Sequence, residues 1–221
     1  MKLKKMEISD RVVQRLTEYL SILKEVRKYE EGINSIELSK IMNTTSAQVR
    51  KDLSTFGEFG VRGKGYDIDK LIEIIEEILG INRLNSVIVI GYGKMGEMIT
   101  LNSRVLGKGF KIVGVFDKDL KKIGKKITNS LKIEDVEKVG EFIANSSEKV
   151  DTAILAVIKD QAQIAAERLI QNGIKAILNM TTYKLELPKN IVVVNMDISA
   201  KLQELNFWRL NLGNDENNEE E

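Results

Sequence analysis

The 221-residue chain contains neither cysteine nor histidine, which excludes disulfides, thiol redox chemistry and cysteine-ligated zinc and removes the commonest general base and metal ligand. No apolar run approaches the roughly 18 residues needed to span a bilayer, and the cations of Met1–Asp10 precede no apolar core, so the expectation is a cytoplasmic protein with no membrane and no metal partner. The formal charge is +1, but the tail from Asn214 to Glu221 holds five acids and no base, leaving 34 cations against 28 acids in the body. Residues 1–80 carry equal numbers of each sign, so any reading as a DNA binder rests on where the cations stand.

Residues Ile8 to about Arg27 predict a helix, capped by Ser9 or Asp10, with Val12, Leu16, Tyr19 or Leu20, Leu23 and Val26 in one apolar stripe. Gly32 ends that segment. Asn34 and Glu37 form a capping-box pattern that opens a short helix with Leu38 and Ile41 turned inward. Asn43-Thr44-Thr45 is the turn into a second helix, where Thr45 and Gln48 repeat the capping box and Val49, Leu53 and Phe56 share a buried face. Two short helices joined by a three-residue turn are the helix-turn-helix pattern. Ala47, Arg50, Lys51 and Ser54 are left on the outer side of the second helix. A small residue lets the backbone approach a major groove, while cations and a hydroxyl bind phosphates or base edges. Gly57, Gly60, Gly63 and Gly65 follow, with Arg62 and Lys64 between the last three; they read as a small hairpin, a wing whose cations reach a phosphate or a narrow minor groove. The plain alternative for this stretch is a surface helix and a glycine-rich loop.

Ile68 to Leu79 predicts another helix, with Leu71, Ile72, Ile75, Ile78 and Leu79 apolar and Gly80 as its stop. Ile81 to Asn85 reads as the link between domains. Val87 to Ile90 is a continuous apolar run suited to a buried parallel strand, and it leads into Gly91, Gly93 and Gly96 in the order G-x-G-x-x-G. The first glycine makes the turn, the second lets a pyrophosphate approach the backbone and the third lets helix and strand pack closely. A second strand, Lys111 to Phe116, ends at Asp117, 21 residues after Gly96, where a carboxylate takes ribose hydroxyls and repels a 2′-phosphate; NAD(H) is the cofactor expected. Glu134 to Asn145 then reads as helix, Ala153 to Val157 as strand, and Gln161 to Gln171 as helix stopped by Asn172-Gly173. Ala176 to Leu178 and Ile191 to Val194 read as strands on either side of Pro188. Ile198, Leu202, Leu205, Trp208 and Leu212 mark a last amphipathic helix.

The fold class expected is α/β: a winged-helix DNA-binding domain over residues 1–82, then a Rossmann doubly wound parallel-sheet domain with the terminal helix over 83–213, then a disordered acidic tail over 214–221. Candidate cofactor-binding residues are Gly91, Tyr92, Gly93, Lys94, Met95, Gly96, Asp117 and Lys118, with Ala156, Val157, Ile158, Asn179, Met180 and Thr181 at the carboxyl ends of later strands. Candidate DNA-binding residues are Ala47, Arg50, Lys51, Ser54, Arg62 and Lys64. No catalytic residue is expected. A competing reading is an NAD-dependent oxidoreductase with an accessory helical domain; Tyr66 and Lys70 have a Y-x-x-x-K spacing, but they precede the glycine turn.

The run Q-V-R-K-D-L-S-T-F-G-E-F-G-V-R-G-K-G-Y, Gln48 to Tyr66, resembles the recognition-helix and wing signature of the Rex family of redox-sensing transcriptional repressors, and the resemblance extends to about Leu210. It implies a homodimer, domain-swapped through the last helix, that binds a palindromic double-stranded operator and answers to the NADH/NAD⁺ ratio. The chain also departs from the family pattern. Tyr92 and Lys94 stand in a turn that usually reads G-A-G-N-L-G, and Asn102 stands where the family has a tyrosine near the nicotinamide. A-V-P-A-x-x-A-Q becomes A-V-I-K-D-Q-A-Q with Ile158 for proline, and N-F-A-P becomes N-M-T-T at residues 179–182. Asn195-Met196-Asp197 matches the family's N-x-D, whose aspartate meets an N-terminal arginine in relatives; that arginine's position is Ser21 here. These substitutions predict a smaller NADH/NAD⁺ affinity ratio than the resemblance implies, and in the limit a nucleotide-insensitive repressor that uses the Rossmann domain for dimerisation.

Overall fold

The computed structural model describes residues 8–57, 59 and 65–212, and the chain divides into two compact units between Arg83 and Leu84. The first unit runs α1 (Asp10–Val26), β1 (Gly32–Ile33), α2 (Ser35–Ile41), α3 (Ser46–Ser54), β2 (Tyr66–Asp67) and α4 (Ile68–Ile78). Its core joins Leu16, Tyr19, Leu20 and Leu23 of α1 to Leu38, to Val49 and Leu53 of α3 with Phe56 beyond it, and to Ile68, Leu71 and Ile75 of α4. The Asn34 side chain accepts from the backbone of Ile36 and Glu37 while Glu37 reaches back to the Asn34 N–H, so the capping box of α2 is complete. On α3 only half of the expected box forms. Thr45 accepts from the Gln48 N–H at 3.1 Å, but the Gln48 side chain turns to Asp52 instead. Ile41 is not inward as the spacing predicts; it is 54% exposed, and Met42, four residues after Leu38, packs on the core in its place. β1 and β2 pair antiparallel, Gly32 with Asp67 and Ile33 with Tyr66. The wing residues Gly60, Arg62, Gly63 and Lys64 lie outside the described residues, as does the tail from Asn214.

The second unit runs β3 (Asn85–Ile90), α5 (Lys94–Leu101), β4 (Phe110–Asp117), β5 (Ile133–Asp135), α6 (Val139–Asn145), β6 (Val150–Leu155), α7 (Ala162–Gln171), β7 (Ala176–Asn179), β8 (Val192–Asn195) and α8 (Ile198–Leu212). The six strands form one parallel sheet in the order β5-β4-β3-β6-β7-β8, the doubly wound order in which the chain starts at the centre and reverses between β3 and β6. Ile88 and Ile90 face a core closed by Val139 of α6 and by Ala162, Ala166 and Leu169 of α7, whereas Val87 and Val89 face one closed by Ile99 of α5. That two-sided burial is why the run Val87–Ile90 is apolar at every position rather than at alternate ones.

β6 starts three residues before the expected Ala153 and ends at Leu155, and two further elements differ in kind from the sequence expectation. The stretch expected as a helix from Glu134 opens as β5, turns through a 3₁₀ segment at Val136–Lys138, and becomes α-helical only at Val139. The Val136–Val139 spacing suits a helix locally, but pairing of Ile133 with Val115, Glu134 with Phe116 and Asp135 with Asp117 at the sheet edge wins. The last helix is not amphipathic: Phe207 and Leu210 are apolar as well, off the stripe of Ile198, Leu202, Leu205 and Trp208. Every described side chain from Ile198 to Asn211 is exposed in the single chain.

Candidate functional site

Ala47, Arg50, Lys51 and Ser54 all stand exposed on one side of α3 because Val49, Leu53 and Phe56 are drawn into the core on the other. Arg50 is steadied by a hydrogen bond from its guanidinium to Ser35 Oγ at 3.0 Å, which ties α3 to the first residue of α2. The Ser54 hydroxyl donates to the Lys51 carbonyl oxygen at 2.9 Å, so its oxygen remains the group turned outward. Lys51 projects from the same turn.

Behind this face lies an ionised group that periodicity did not single out. Asp52 is 1% exposed and accepts four hydrogen bonds: from Arg15 Nε at 2.6 Å and Arg15 Nη2 at 2.7 Å, from the Tyr19 hydroxyl at 2.9 Å, and from Gln48 Nε2 at 2.7 Å. Burial alone would push the Asp52 carboxyl up; the bonds from Arg15, Gln48 and Tyr19 outweigh it and hold the group below the usual carboxylate range. Burial and the same carboxylate push the Tyr19 phenol well above its ordinary value. The signal available in the sequence was an acid three residues after Val49 and four before Phe56, on the buried side of the helix, where a charge requires a partner.

The glycine turn of the second unit sits at the point where the strand order reverses. Gly91 has φ +95°, and a Cβ there would lie 2.5 Å from the Ala156 carbonyl oxygen at the end of β6. The Ala156 N–H donates to the Ile90 carbonyl at 2.8 Å and the Gly91 N–H to that of Phe116 at 2.7 Å, so the turn is tied to both neighbouring strands. A Cβ on Gly96 would collide with the Gly91 carbonyl, which is how α5 packs so closely on β3. Gly93, by contrast, has no atom within 4 Å of where a Cβ would be; it opens α5 and faces free space. The three glycines therefore do three different things, and the second leaves room for a phosphate at a helix N-terminus.

Asp117, at the end of β4, is 7% exposed. One of its oxygens accepts from the Tyr92 N–H at 2.7 Å and from Lys122 Nζ at 3.1 Å, the other from the Asp119 N–H at 2.9 Å. Burial pushes its carboxyl up, but the Asp119 and Tyr92 amides and Lys122 together hold it below the usual range. Beside it opens a cavity of about 600 Å³. Gly91, Gly93, Asp117, Lys118, Ala156, Val157 and Ile158 line it, joined by Lys122, Val136, Glu137, Gln161, Ile164 and Arg168 among others. Arg168 and Glu137 pair at 2.5 Å. The volume falls in the range of small-molecule sites, and the wall is mostly apolar with a few placed charges.

The other sequence candidates stand elsewhere. Lys94 is exposed at the start of α5, Met95 is half-buried beside it, and Gly96 is consumed by packing. Tyr92 and Met180 pack on the core on the α5 side of the sheet. Asn179 is fully buried, and its amide is spent within the protein. It donates to the Tyr183 carbonyl and to Asn195 Oδ1, both at 2.8 Å, and accepts from the Thr181 N–H and hydroxyl. Asn179 and Thr181 thus hold the loop after β7 and fasten it to the end of β8. Among the described residues, no group of three or more acids could hold a metal ion, and no helix is long and apolar enough to cross a membrane.

Comparison with known proteins agrees with both halves. Residues 7–54 match the family model "Putative DNA-binding protein N-terminus", and residues 82–183 match "CoA binding domain". The redox-sensing transcriptional repressor Rex of Caldanaerobacter subterraneus subsp. tengcongensis is 39% identical over 209 residues, covering 94% of this chain and 92% of the relative. The chain belongs to the Rex family. Rex 1 of Thermotoga maritima is 38% identical over 89% of this chain and 93% of its own. Among solved structures, that of RSP in complex with beta-NAD+ and operator DNA superposes with a TM-score of 0.87 at 36% identity, covering 95% of each chain. RSP in complex with beta-NADH gives 0.84 at 34% identity, covering 95% of this chain and 97% of the other.

Against the Rex pattern, the departures fall at distinct places. Ile158 is exposed at the cavity wall, Asn102 is exposed at the C-terminal cap of α5, and Ser21 is exposed on α1. Asp197, the acid of the Rex N-x-D, accepts from the Ala200 N–H at 3.1 Å and so caps α8.

Proposed function

We propose that this chain is a homodimeric, cytoplasmic transcriptional repressor whose hold on a palindromic DNA operator is set by the NADH/NAD⁺ ratio, and that it is not an enzyme. The observation that carries the reading is the coexistence, in a Rex-family chain, of an exposed Ala47–Arg50–Lys51–Ser54 face on a helix-turn-helix and a switch-point cavity beside a G-x-G-x-x-G turn. Residues 1–82 read DNA: Arg50 and Lys51 bind phosphates or base edges, Ala47 allows close approach, and Arg62 and Lys64 act from the wing. Residues 83–213 bind the dinucleotide, with the amides that open α5 at the pyrophosphate, Asp117 at the adenosine ribose, and Ala156, Val157 and Ile158 along the wall.

When bound, the cofactor presents a nicotinamide ring that is neutral as NADH and cationic as NAD⁺. Asn102, Ile158, Met180 and Thr181 are the groups of this chain offered to that difference. A second copy covers the exposed apolar surface of α8, and two-fold symmetry makes the operator a palindrome with half-sites about 10 base pairs apart. The test is selection of duplexes from a random pool by the full-length protein, followed by gel shifts with NADH or NAD⁺ and an assay for substrate-dependent NADH oxidation. A palindromic site released by NADH is expected. Asymmetric single sites, or steady turnover of NADH with a substrate, would overturn the reading.

A further inference from the structure

Besides the exposed Arg50–Ser35 bond, the recognition helix is fastened to the rest of its unit in two ways that differ in kind. Val49, Leu53 and Phe56 bury an apolar face, which resists withdrawal but has little directional preference. Asp52 adds four hydrogen bonds of fixed direction, three of them from α1, and Arg15 grips both carboxylate oxygens. Asp52 is buried while Arg15 stays a quarter exposed, and stability alone is a poor reason to bury a carboxylate even with such a partner, because well-packed apolar residues of similar volume commonly serve as well or better. What a fork of this kind supplies is geometry. Asp52 adjoins Lys51 and lies two residues from Arg50, so its position fixes where those two side chains emerge. A roll of about 20° moves a side-chain atom some 6 Å from the helix axis by about 2 Å, more than a hydrogen bond tolerates.

We infer that Arg15 and Asp52 are positioning residues for DNA reading, setting the roll of α3 about its own axis. The inference rests on the DNA-binding reading above. Tyr19 supports the same carboxylate from α1. Gln48 is oriented by it too: a carboxylate accepts only from the amide nitrogen, so the carboxamide oxygen of Gln48 is left to accept from elsewhere. None of these four side chains needs to touch a phosphate for its loss to be felt at the DNA.

The experiment uses full-length protein, a duplex enriched by the wild type from a random pool, and a scrambled duplex of the same length. Binding is read by fluorescence anisotropy at one salt concentration, beside urea unfolding. The triple variant Arg15→Met/Tyr19→Phe/Asp52→Leu removes the directional bonds from α1 without leaving a buried hydroxyl unpaired, and keeps the volume apolar. Expected are near-wild-type unfolding, at least about a tenfold loss of affinity for the enriched duplex, and a change within about threefold for the scrambled one, whose binding depends on phosphate charge alone. An unchanged ratio of enriched to scrambled affinity in the folded variant overturns the inference, because it would mean that the helix is oriented without the bonds to Asp52. Should that variant fail to fold, Arg15→Lys keeps the charge without the two-point grip; a fall in the ratio supports the inference and wild-type discrimination overturns it. A wild type that enriches no sequence defeats the DNA-binding reading itself, a result distinct from either of these.

Discussion

Replacing Asp117 with asparagine keeps the shape of the side chain and removes its charge. In the native protein its two oxygens take the Tyr92 N–H at 2.7 Å, the Asp119 N–H at 2.9 Å and Lys122 Nζ at 3.1 Å. An amide offers one accepting oxygen, so at least one of the two backbone N–H groups loses its acceptor, and Lys122 loses the nearer of its two counter-charges, keeping only Asp119 at 4.0 Å. Hydrogen bonds to charged groups are worth roughly 1.5–3 kcal/mol each and do not add fully; a loss of about 3 kcal/mol is expected. The sign of the pH dependence follows from the depressed carboxyl. A group whose pKa folding lowers contributes stability above its unfolded value, and that contribution is lost as pH falls through it toward the folded one. Urea unfolding followed by circular dichroism should therefore show a full gap between wild type and Asp117→Asn at pH 7 that narrows below about pH 4. A gap under about 0.5 kcal/mol at pH 7, or one that persists on acidification, would refute the argument that this carboxylate clamps the glycine turn. Calorimetry on the same variant should show a smaller preference for NADH over NADPH, since a 2′-phosphate no longer meets a negative charge. Tighter binding of NADPH than NADH by the wild type would refute that part, and Lys118 and Lys122 are the cations that would produce it.

Gly93→Ala and Gly96→Ala should separate binding from folding. The first has open space around its Cβ and should melt close to wild type yet lose dinucleotide affinity, whereas the second drives a methyl into the Gly91 carbonyl and should cost about 3 kcal/mol or more. Both are decided by melting curves paired with calorimetry. Lys51→Ala and Arg62→Ala should each flatten the salt dependence of operator binding by about one unit if they contact phosphate, or relax one base position by roughly 1–3 kcal/mol if they read bases. Unchanged affinity in both would mean that the DNA-facing side is wrongly assigned. Titrating operator release with NADH against a fixed excess of NAD⁺ should reveal a smaller affinity ratio than is usual in the family; complete release at a small NADH fraction would show that Asn102, Ile158 and Met180 are without consequence.

The parts of the molecule legible in the sequence are those where one residue type at one spacing has a single geometric meaning. Gly91, Gly93, Gly96 and Asp117 are of this kind, because a strand-turn-helix leaves few ways to arrange them. So is the outer face of α3, which follows from three buried positions. The illegible parts depend on contacts distant in sequence. Residues 134–145 read as one helix, and only the pairing of Ile133, Glu134 and Asp135 with Val115, Phe116 and Asp117 makes the start of that stretch a strand. Asp52 lies on the buried side of α3, but its partners Arg15 and Tyr19 are more than thirty residues away on another helix. Asn179 marks the end of a strand in either account. That its amide is exhausted by Tyr183, Asn195 and Thr181 is visible only once the loop has closed around it.

The order of strands in the sheet has a consequence for how the protein is made. The first unit ends at Arg83 and its core residues all precede that point, so that core is available early in synthesis. β3 leaves the ribosome next, but the strand that pairs with its far side is β6, with Ile90 meeting Leu155 about 65 residues later. At about 5–20 residues per second, that wait lasts roughly 3–13 seconds. During it, the apolar run Val87–Ile90 can pair only with β4, and the close approach of Gly91 to Ala156 does not exist. A growing chain therefore holds a complete helix-turn-helix before it holds any cavity at the switch point. Substitutions that slow the closing of β6 onto β3 would lengthen the interval in which a DNA-reading unit is present without its sensor.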